Sequence, residues 1–178
     1  MNEELSAADD HALLLQLAHG DASALAALYD RHAPPVYHLL LAQTGDADAA
    51  ADLLQETFLA LLDKGRAAAG IRDPRTYLLG VAHHLASRRR YRRRREVPLD
   101  EAELAGAAAP DAPLTTIDVQ RALAALPPEQ AAVVVLKVWH DLTFREIAAA
   151  LGLSPDTAAS RYRYALEKLR RLLGDEEE

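Results

Sequence analysis

The chain has 178 residues with 20 Lys plus Arg against 27 Asp plus Glu, a formal net charge of −7 at pH 7. Ala (37) and Leu (31) dominate its hydrophobic residues while Val (8) and Ile (3) are scarce, which predicts an all-α protein and excludes a large α/β enzyme fold. The absence of Cys excludes disulfide scaffolds, Cys-ligated zinc, iron–sulfur clusters and thiol catalysis.

Residues 1–70 carry 3 basic and 11 acidic groups. Helices are predicted from about Asp10 to Ala18 and from Ala22 to about Arg31, with Gly20 between them and Asp21 as N-cap of the second. Pro34 and Pro35 are expected to reset the chain before Val36–Thr44. The next helix runs from near Asp46 to about Lys64, and its core residues Leu54, Phe58 and Leu61 recur at i, i+4 and i+7. Asp48, Asp52, Gln55 and Glu56 line another face at spacings of three and four, with no Lys or Arg at i+4 to pair with. Such a stripe is either a solvated face or a dock for a basic partner.

The stretch KGRAAAGIRDP reads as a loop, and a helix starts near Pro74 or Arg75. Its predicted core stripe is Leu78, Val81, Ala82 and Leu85, while Tyr77, His84 and Arg88 line a different face. Residues 71–96 carry 9 basic and 2 acidic groups, seven of the basic ones being Arg88, Arg89, Arg90, Arg92, Arg93, Arg94 and Arg95, with Tyr91 among them. The run is either a solvated helix end or a polyanion site, and each Arg can offer a planar fork to a phosphate and release counterions. Distant carboxylates do not oppose this, because the Debye length at physiological salt is about 8 Å. Residues 97–116, VPLDEAELAGAAAPDAPLTT, are Ala- and Pro-rich and hold no basic group, as an interdomain linker would.

The C-terminal block is well punctuated. A short helix over 118–125 ends at Pro127 and Pro128, and a second over 129–139 offers Val133, Leu136 and Trp139 to a core. Thr143 with Glu146 is a capping-box pattern opening a third helix, in which Ile147 and Leu151 face inward and which Gly152 closes. Ser154 caps a fourth helix with Pro155 at its first position. That helix buries Ala158, Tyr162, Ala165 or Leu166, and Leu169, and turns Thr157, Ser160, Arg161, Tyr164 and Lys168 outward. A short helix, a Gly-containing turn and a capped second helix with small and basic outer residues form either a helix-turn-helix or a plain helical hairpin. In the first case Arg145, Arg161 and Arg163 would hold phosphates or read guanine.

The stretch LPPEQAAVVVLKVWHDLTFREIAAALGLSPDTAASRYRYALEKLRRLL resembles region 4 of bacterial sigma factors of the sigma-70 superfamily. DLLQETF resembles the core-binding signature of their region 2, and PRTYLLGVAHHLASRRRYRRRRE the segment that melts and reads the promoter −10 element. The layout resembles the extracytoplasmic-function (group 4) type. The resemblance implies two small helical domains: region 2 over residues 8–96 and region 4 over 117–173, joined by the linker 97–116 and followed by an acidic tail, 174–178. It places Asp52, Leu53, Gln55 and Glu56 where the family contacts the β′ clamp helices of core RNA polymerase. Tyr77, His84, Ser87, Arg88, Arg89, Tyr91 and Arg92 fall on the −10 face. Arg145, Thr157, Ser160, Arg161, Arg163, Tyr164 and Lys168 fall on the −35 face.

The loop Lys64–Pro74 lies where the family captures a flipped base; extrusion costs a few kcal/mol, and without an aromatic residue this loop would offset it with hydrogen bonds. Three positions depart from the family pattern: Tyr77 stands for a usual Trp, His83–His84 for a common Arg–Asn, and Ala159 for a common Lys. The implied partners are core RNA polymerase, through β′ and the β flap, promoter DNA, and an anti-sigma factor. No enzymatic activity, small-molecule substrate, cofactor or metal is expected: no nucleophile–base–oxyanion set is visible, and His83 and His84 point about 100° apart on a helix. The start MNEELSAADDH lacks a signal-peptide pattern, and no apolar run approaches the roughly 20 residues that span a bilayer, so a cytoplasmic location is expected. The alternative reading is a helix-turn-helix regulator that binds DNA independently of polymerase.

Overall fold

The computed structural model describes residues 2–96 and 116–173, with side chains described for 9–93, 119 and 121–173. Among these residues lie α1 (Asn2–Ala18), α2 (Ala22–Thr44), α3 (Ala47–Leu62), a 3₁₀ helix (Gly65–Gly70), α4 (Pro74–Glu96), α5 (Thr116–Ala124), α6 (Pro128–Val138), α7 (Phe144–Leu151) and α8 (Pro155–Leu173). The expected linker, apart from Thr116, and the expected acidic tail lie outside the described residues, as do the side chains of Arg94 and Arg95.

Local chemistry sets most of the helix ends. Asp21 Oδ1 accepts from the Ser23 amide at 2.8 Å, and Asp46 Oδ1 from the Asp48 and Ala49 amides at 3.0 and 3.1 Å. Asp73 Oδ1 accepts from the Thr76 amide at 3.1 Å, with Pro74 as the first residue of α4. Each side chain satisfies amides that the first helical turn leaves without partners. At the start of α7, Glu146 N donates to Thr143 Oγ1 at 3.3 Å while Thr143 N and Oγ1 both donate to Glu146 Oε2 at 2.6 Å. This reciprocal box holds the Glu146 carboxyl below the usual range, chiefly through the Thr143 hydroxyl. Gly152 then ends α7 at φ 67, a left-handed conformation that costs Gly little.

Four local expectations are corrected. Pro34 and Pro35 do not interrupt the chain: they lie inside the continuous helix α2. Neither supplies an amide to the ladder, yet Ala33, Pro35, Val36, Leu39 and Leu40 are buried, and packing on that scale offsets the roughly 3 kcal/mol an interior proline costs. The stretch KGRAAAGIRDP is not all loop, since Gly65–Gly70 form the 3₁₀ helix with Ala68 buried. On α4 the fully buried residues are Leu78, Leu79, Ala82 and Ala86, while Val81 and Leu85 are half-buried. The stripe is shifted because α4 packs against α2 and α3 and also against α7. Trp139, expected in the core, is the C-cap of α6 and 49% exposed.

The main core draws on both halves of the chain. Leu14, Leu28, Leu39, Leu61, Leu78 and Leu79 join Val133, Leu136, Ile147 and Leu151 in one buried cluster, because α2 packs on α6 and α4 on α7. A smaller cluster of Leu126, Ala131, Val134 and Ala165 ties α6 to α8. Polar contacts cross the same seam: Arg75 Nη2 donates to the His140 carbonyl at 2.7 Å, and His38 Nδ1 meets His140 Nε2 at 3.0 Å with the rings stacked 5.1 Å apart.

Candidate functional site

On α3 the burial of Leu54, Phe58 and Leu61 turns Asp48, Asp52, Gln55 and Glu56 to the surface, all exposed. Among the described residues no ion pair involves them. Leu53 does not join this face: it is 3% exposed, inside the core, and supports the helix from behind. Leu59 does join it, at i+3 from Glu56 and i+4 from Gln55, and is 55% exposed. Its spacing could have revealed it, but a Leu read from sequence goes to the core by default. The stripe is thus acidic at one end and apolar at the other.

The second surface runs along α4. His84, Arg88, Tyr91 and Arg92, at spacings of four, three and one, are exposed, and Ser87 and Arg89 are half-buried. Arg90 Nη2 donates to Ser87 Oγ at 3.3 Å. His83 points elsewhere: the buried Gln43 donates its Nε2 to His83 Nδ1 at 2.7 Å. Burial first, then the nearby Arg90, keeps this imidazole below its ordinary pKa. Tyr77, two turns before His84, is half-buried, with Lys64 Nζ 5.7 Å from its ring centroid. It lines a cleft of about 530 Å³ whose walls include Arg72, Asp73 and Thr76 from the first half of the chain and Arg145, Glu146 and Ala149 of α7 from the second. Arg72 was missed in the sequence because nothing local marks a loop arginine as lining a cleft.

The third surface is the α7–α8 unit. Buried Ile147, Leu151 and Ala158 and the tilted Phe144–Tyr162 pair, centroids 5.6 Å apart, join its two helices. Ser154 Oγ accepts from the Thr157 amide at 3.1 Å. Thr157, Arg163 and Tyr164 are exposed, as is Arg145 on α7, and Ser160 is half-buried. The Arg163 guanidinium lies 5.1 Å from the Tyr164 ring centroid. Two expected outward residues are turned back instead. Arg161 pairs with Glu129 of α6 at 2.9 Å, and Lys168 Nζ donates to the Ala125 carbonyl after α5 at 2.8 Å. Long cations reach their nearest acceptor, and here it lies across the bundle rather than in solvent.

Comparison with known proteins decides what carries these surfaces. Residues 28–96 match the family model for Sigma-70 region 2, and residues 116–169 that for Sigma-70, region 4. The chain is 36% identical over 155 residues to RNA polymerase sigma factor CarQ of Myxococcus xanthus, covering 83% of this chain and 88% of CarQ. The chain belongs to the sigma-70 family. It is also 32% identical over 160 residues to ECF RNA polymerase sigma factor SigL of Mycobacterium tuberculosis, covering 86% of this chain and 90% of SigL.

Two solved structures share the fold. Sigma factor RpoE, in complex with the anti-sigma factor NepR from Bartonella quintana, matches with TM-score 0.68 and 21% identity over 84% of this chain and 96% of that one. CnrH, in complex with the cytosolic domain of CnrY, matches with TM-score 0.66 and 23% identity over 94% and 99%. This sigma factor is of the extracytoplasmic-function type and acts in promoter-specific transcription initiation by RNA polymerase. The α3 stripe and the α4 face belong to its region 2, and the α7–α8 unit to its region 4. Among the described residues no helix is long and apolar enough to cross a membrane.

Proposed function

We propose that region 2 docks on core polymerase through Asp52, Gln55 and Glu56, with Leu59 as an apolar anchor and the β′ clamp helices as the basic partner surface. The observation that carries this reading is the exposed stripe itself, whose carboxylates form no ion pair among the described residues. Charge complementarity of this kind steers encounter and fixes register.

The α4 face, His84, Ser87, Arg88, Arg89, Tyr91 and Arg92 with Tyr77, contacts the −10 strand, the arginines on phosphates and the tyrosines as stacking surfaces. Region 4 reads the −35 duplex from Arg145, Thr157, Ser160, Arg163 and Tyr164 and meets the β flap, while Arg161 and Lys168 reach DNA only if their present bonds break. The chain divides into a region 2 unit over 8–96 and a region 4 unit over 117–173 joined by 97–116. It works in the cytoplasm as a dissociable subunit without catalysis of its own. An anti-sigma factor is a fitting regulator, since both solved relatives are complexes of that kind or with a cytosolic partner domain.

Co-purification with core polymerase tests the docking: Asp52→Arg with Glu56→Arg should reduce core binding at least tenfold with an unchanged melting temperature. Unaltered binding by that variant would exclude the stripe as the dock.

A further inference from the structure

Two histidines far apart in the chain meet where α2 faces the turn between α6 and α7. His38 stands in the second half of α2, and His140 follows the C-cap of α6, 102 residues later. No metal is expected from His83 and His84, which are neighbours in sequence; this second pair is made by the fold. Its ring nitrogens, His38 Nδ1 and His140 Nε2, lie 3.0 Å apart.

That spacing suits a shared metal ion. At a metal–imidazole distance of about 2.0–2.1 Å, nitrogens 3.0 Å apart subtend about 94° at the ion. A tetrahedral ion asks for a separation of about 3.3–3.4 Å, whereas two cis positions of a square-planar or octahedral ion ask for about 2.8–3.0 Å. Nitrogen ligands in the second geometry select Cu(II) or Ni(II). The ion takes the place of the proton that the two nitrogens now share. His38 then carries its proton on Nε2 and His140 on Nδ1, so no proton is lost from the pair.

The turn that carries His140 is fixed from both sides. Arg75 Nη2 donates to the His140 carbonyl at 2.7 Å, and the Leu142 amide donates to the Leu136 carbonyl at 3.1 Å. Between these bonds Asp141 is held at φ 52, the one positive-φ residue other than Gly among the described residues. Backbone held in so sparsely populated a conformation collects at ligand sites. With His38 on a helix and His140 in a fastened turn, both ligands are placed before any ion arrives, which lowers the cost of binding. The charge of Arg75 opposes a cation here, but it also acts on the Glu146 carboxyl, which offsets it. His38 is exposed and His140 half-buried, so an ion can enter from solvent. No third His, Cys, Asp or Glu joins the pair among the described residues, which leaves the other coordination positions to water.

We propose that His38 and His140 form a binding site for a divalent late transition metal, Cu(II) or Ni(II), which completes its coordination with water and ties α2 to the α6–α7 turn.

Calorimetric titration of the full-length chain with Cu(II), Ni(II) and Zn(II) at neutral pH tests the site. Cu(II) should bind most tightly, and Ni(II) at least threefold more tightly than Zn(II). His38→Gln and His140→Gln should each weaken Cu(II) and Ni(II) binding at least tenfold, and His11→Gln, an exposed imidazole on α1, less than twofold. The electron paramagnetic resonance spectrum of the Cu(II) complex should show two imidazole nitrogens in the wild type and one in either variant. Saturating Ni(II) should raise the melting temperature of the wild type and leave that of both variants unchanged. Circular dichroism checks that His140→Gln is folded; if it is not, His38→Gln, at an exposed position, decides. Unchanged Cu(II) and Ni(II) binding by His38→Gln would overturn the proposal, as would a wild-type Cu(II) complex with a single imidazole or tighter binding of Zn(II) than of Ni(II).

Discussion

At the scale of single residues, the charge cluster joining α1 to α2 shows how little of a helix pair's stability is visible in its apolar stripe. Asp10, 5% exposed, accepts from Arg31 and lies 2.9 Å from Nε2 of the buried His32. Burial keeps the His32 pKa below its ordinary value even though the Asp10 charge opposes it. Removing one member of a buried pair strands the others, at about 3–5 kcal/mol when all are enclosed. The partial exposure of Arg31 softens this, so Asp10→Ala should lower unfolding stability by about 2–3 kcal/mol in urea titrations. A loss under about 0.5 kcal/mol, the level of ordinary surface changes, would show the cluster to be unimportant. Leu59→Asp belongs to the same scale but to the surface. It should weaken core polymerase binding at least fivefold in a pull-down titration without shifting the melting temperature, because nothing in the fold depends on a side chain 55% exposed.

At the scale of elements, α2 is the helix whose own sequence opposes it most. Two consecutive prolines stand in its interior, and the helix persists because α1, α3, α4 and α6 all pack on it. Pro34 is exposed and Pro35 buried, so their replacements should differ. Pro34→Ala restores an amide to the ladder without opening a cavity, and should stabilise the chain by about 2–2.5 kcal/mol, the remainder of the roughly 3 kcal/mol being cancelled by the freer unfolded state. For a chain of this length that is a rise of roughly 4–10 °C in melting temperature. Pro35→Ala removes packed ring atoms and should gain less. Equal gains at both positions would contradict this account of α2.

Across the whole molecule, three histidines give stability a common pH dependence. His32, His83 and His140 all have their pKa values lowered from 6.5, each chiefly by burial, and His140 reaches about 4, with His38 and Arg75 adding to the effect. The unfolded chain therefore binds these protons at higher pH than the folded one. The stability they contribute is complete above about pH 6.5 and is lost as pH falls toward their folded values. Thermal melts should show a steady decline in melting temperature from pH 7 to pH 4.5, shallower in His140→Gln. A flat profile over that range would refute the linkage. Because His140 lies on the seam between regions 2 and 4, part of the decline belongs to the contacts that join them.

How much of this was legible in the sequence depends on the range of the interaction. Helix caps at Asp21, Thr143 and Ser154 were readable because a cap joins residues two or three apart. The α3 stripe was readable because one helix's periodicity decides which face its own apolar residues bury. Those local signals, in order, also carry the sigma-factor family. The sequence could not show that α2 passes through Pro34 and Pro35, that Trp139 stays outside the core, or that Arg161 and Lys168 turn inward. Each depends on a neighbour supplied from elsewhere in the chain. The same holds for Gly80, which by itself is a weak point in a helix and becomes a fitted surface only against the Ala150 carbonyl. Sequence alone therefore determined the helices, their capped ends and the family, all products of contacts within a few turns. Only the tertiary structure decided that regions 2 and 4 share one core, because burying Val133, Leu136 and Ile147 against α2 and α4 requires partners far away along the chain.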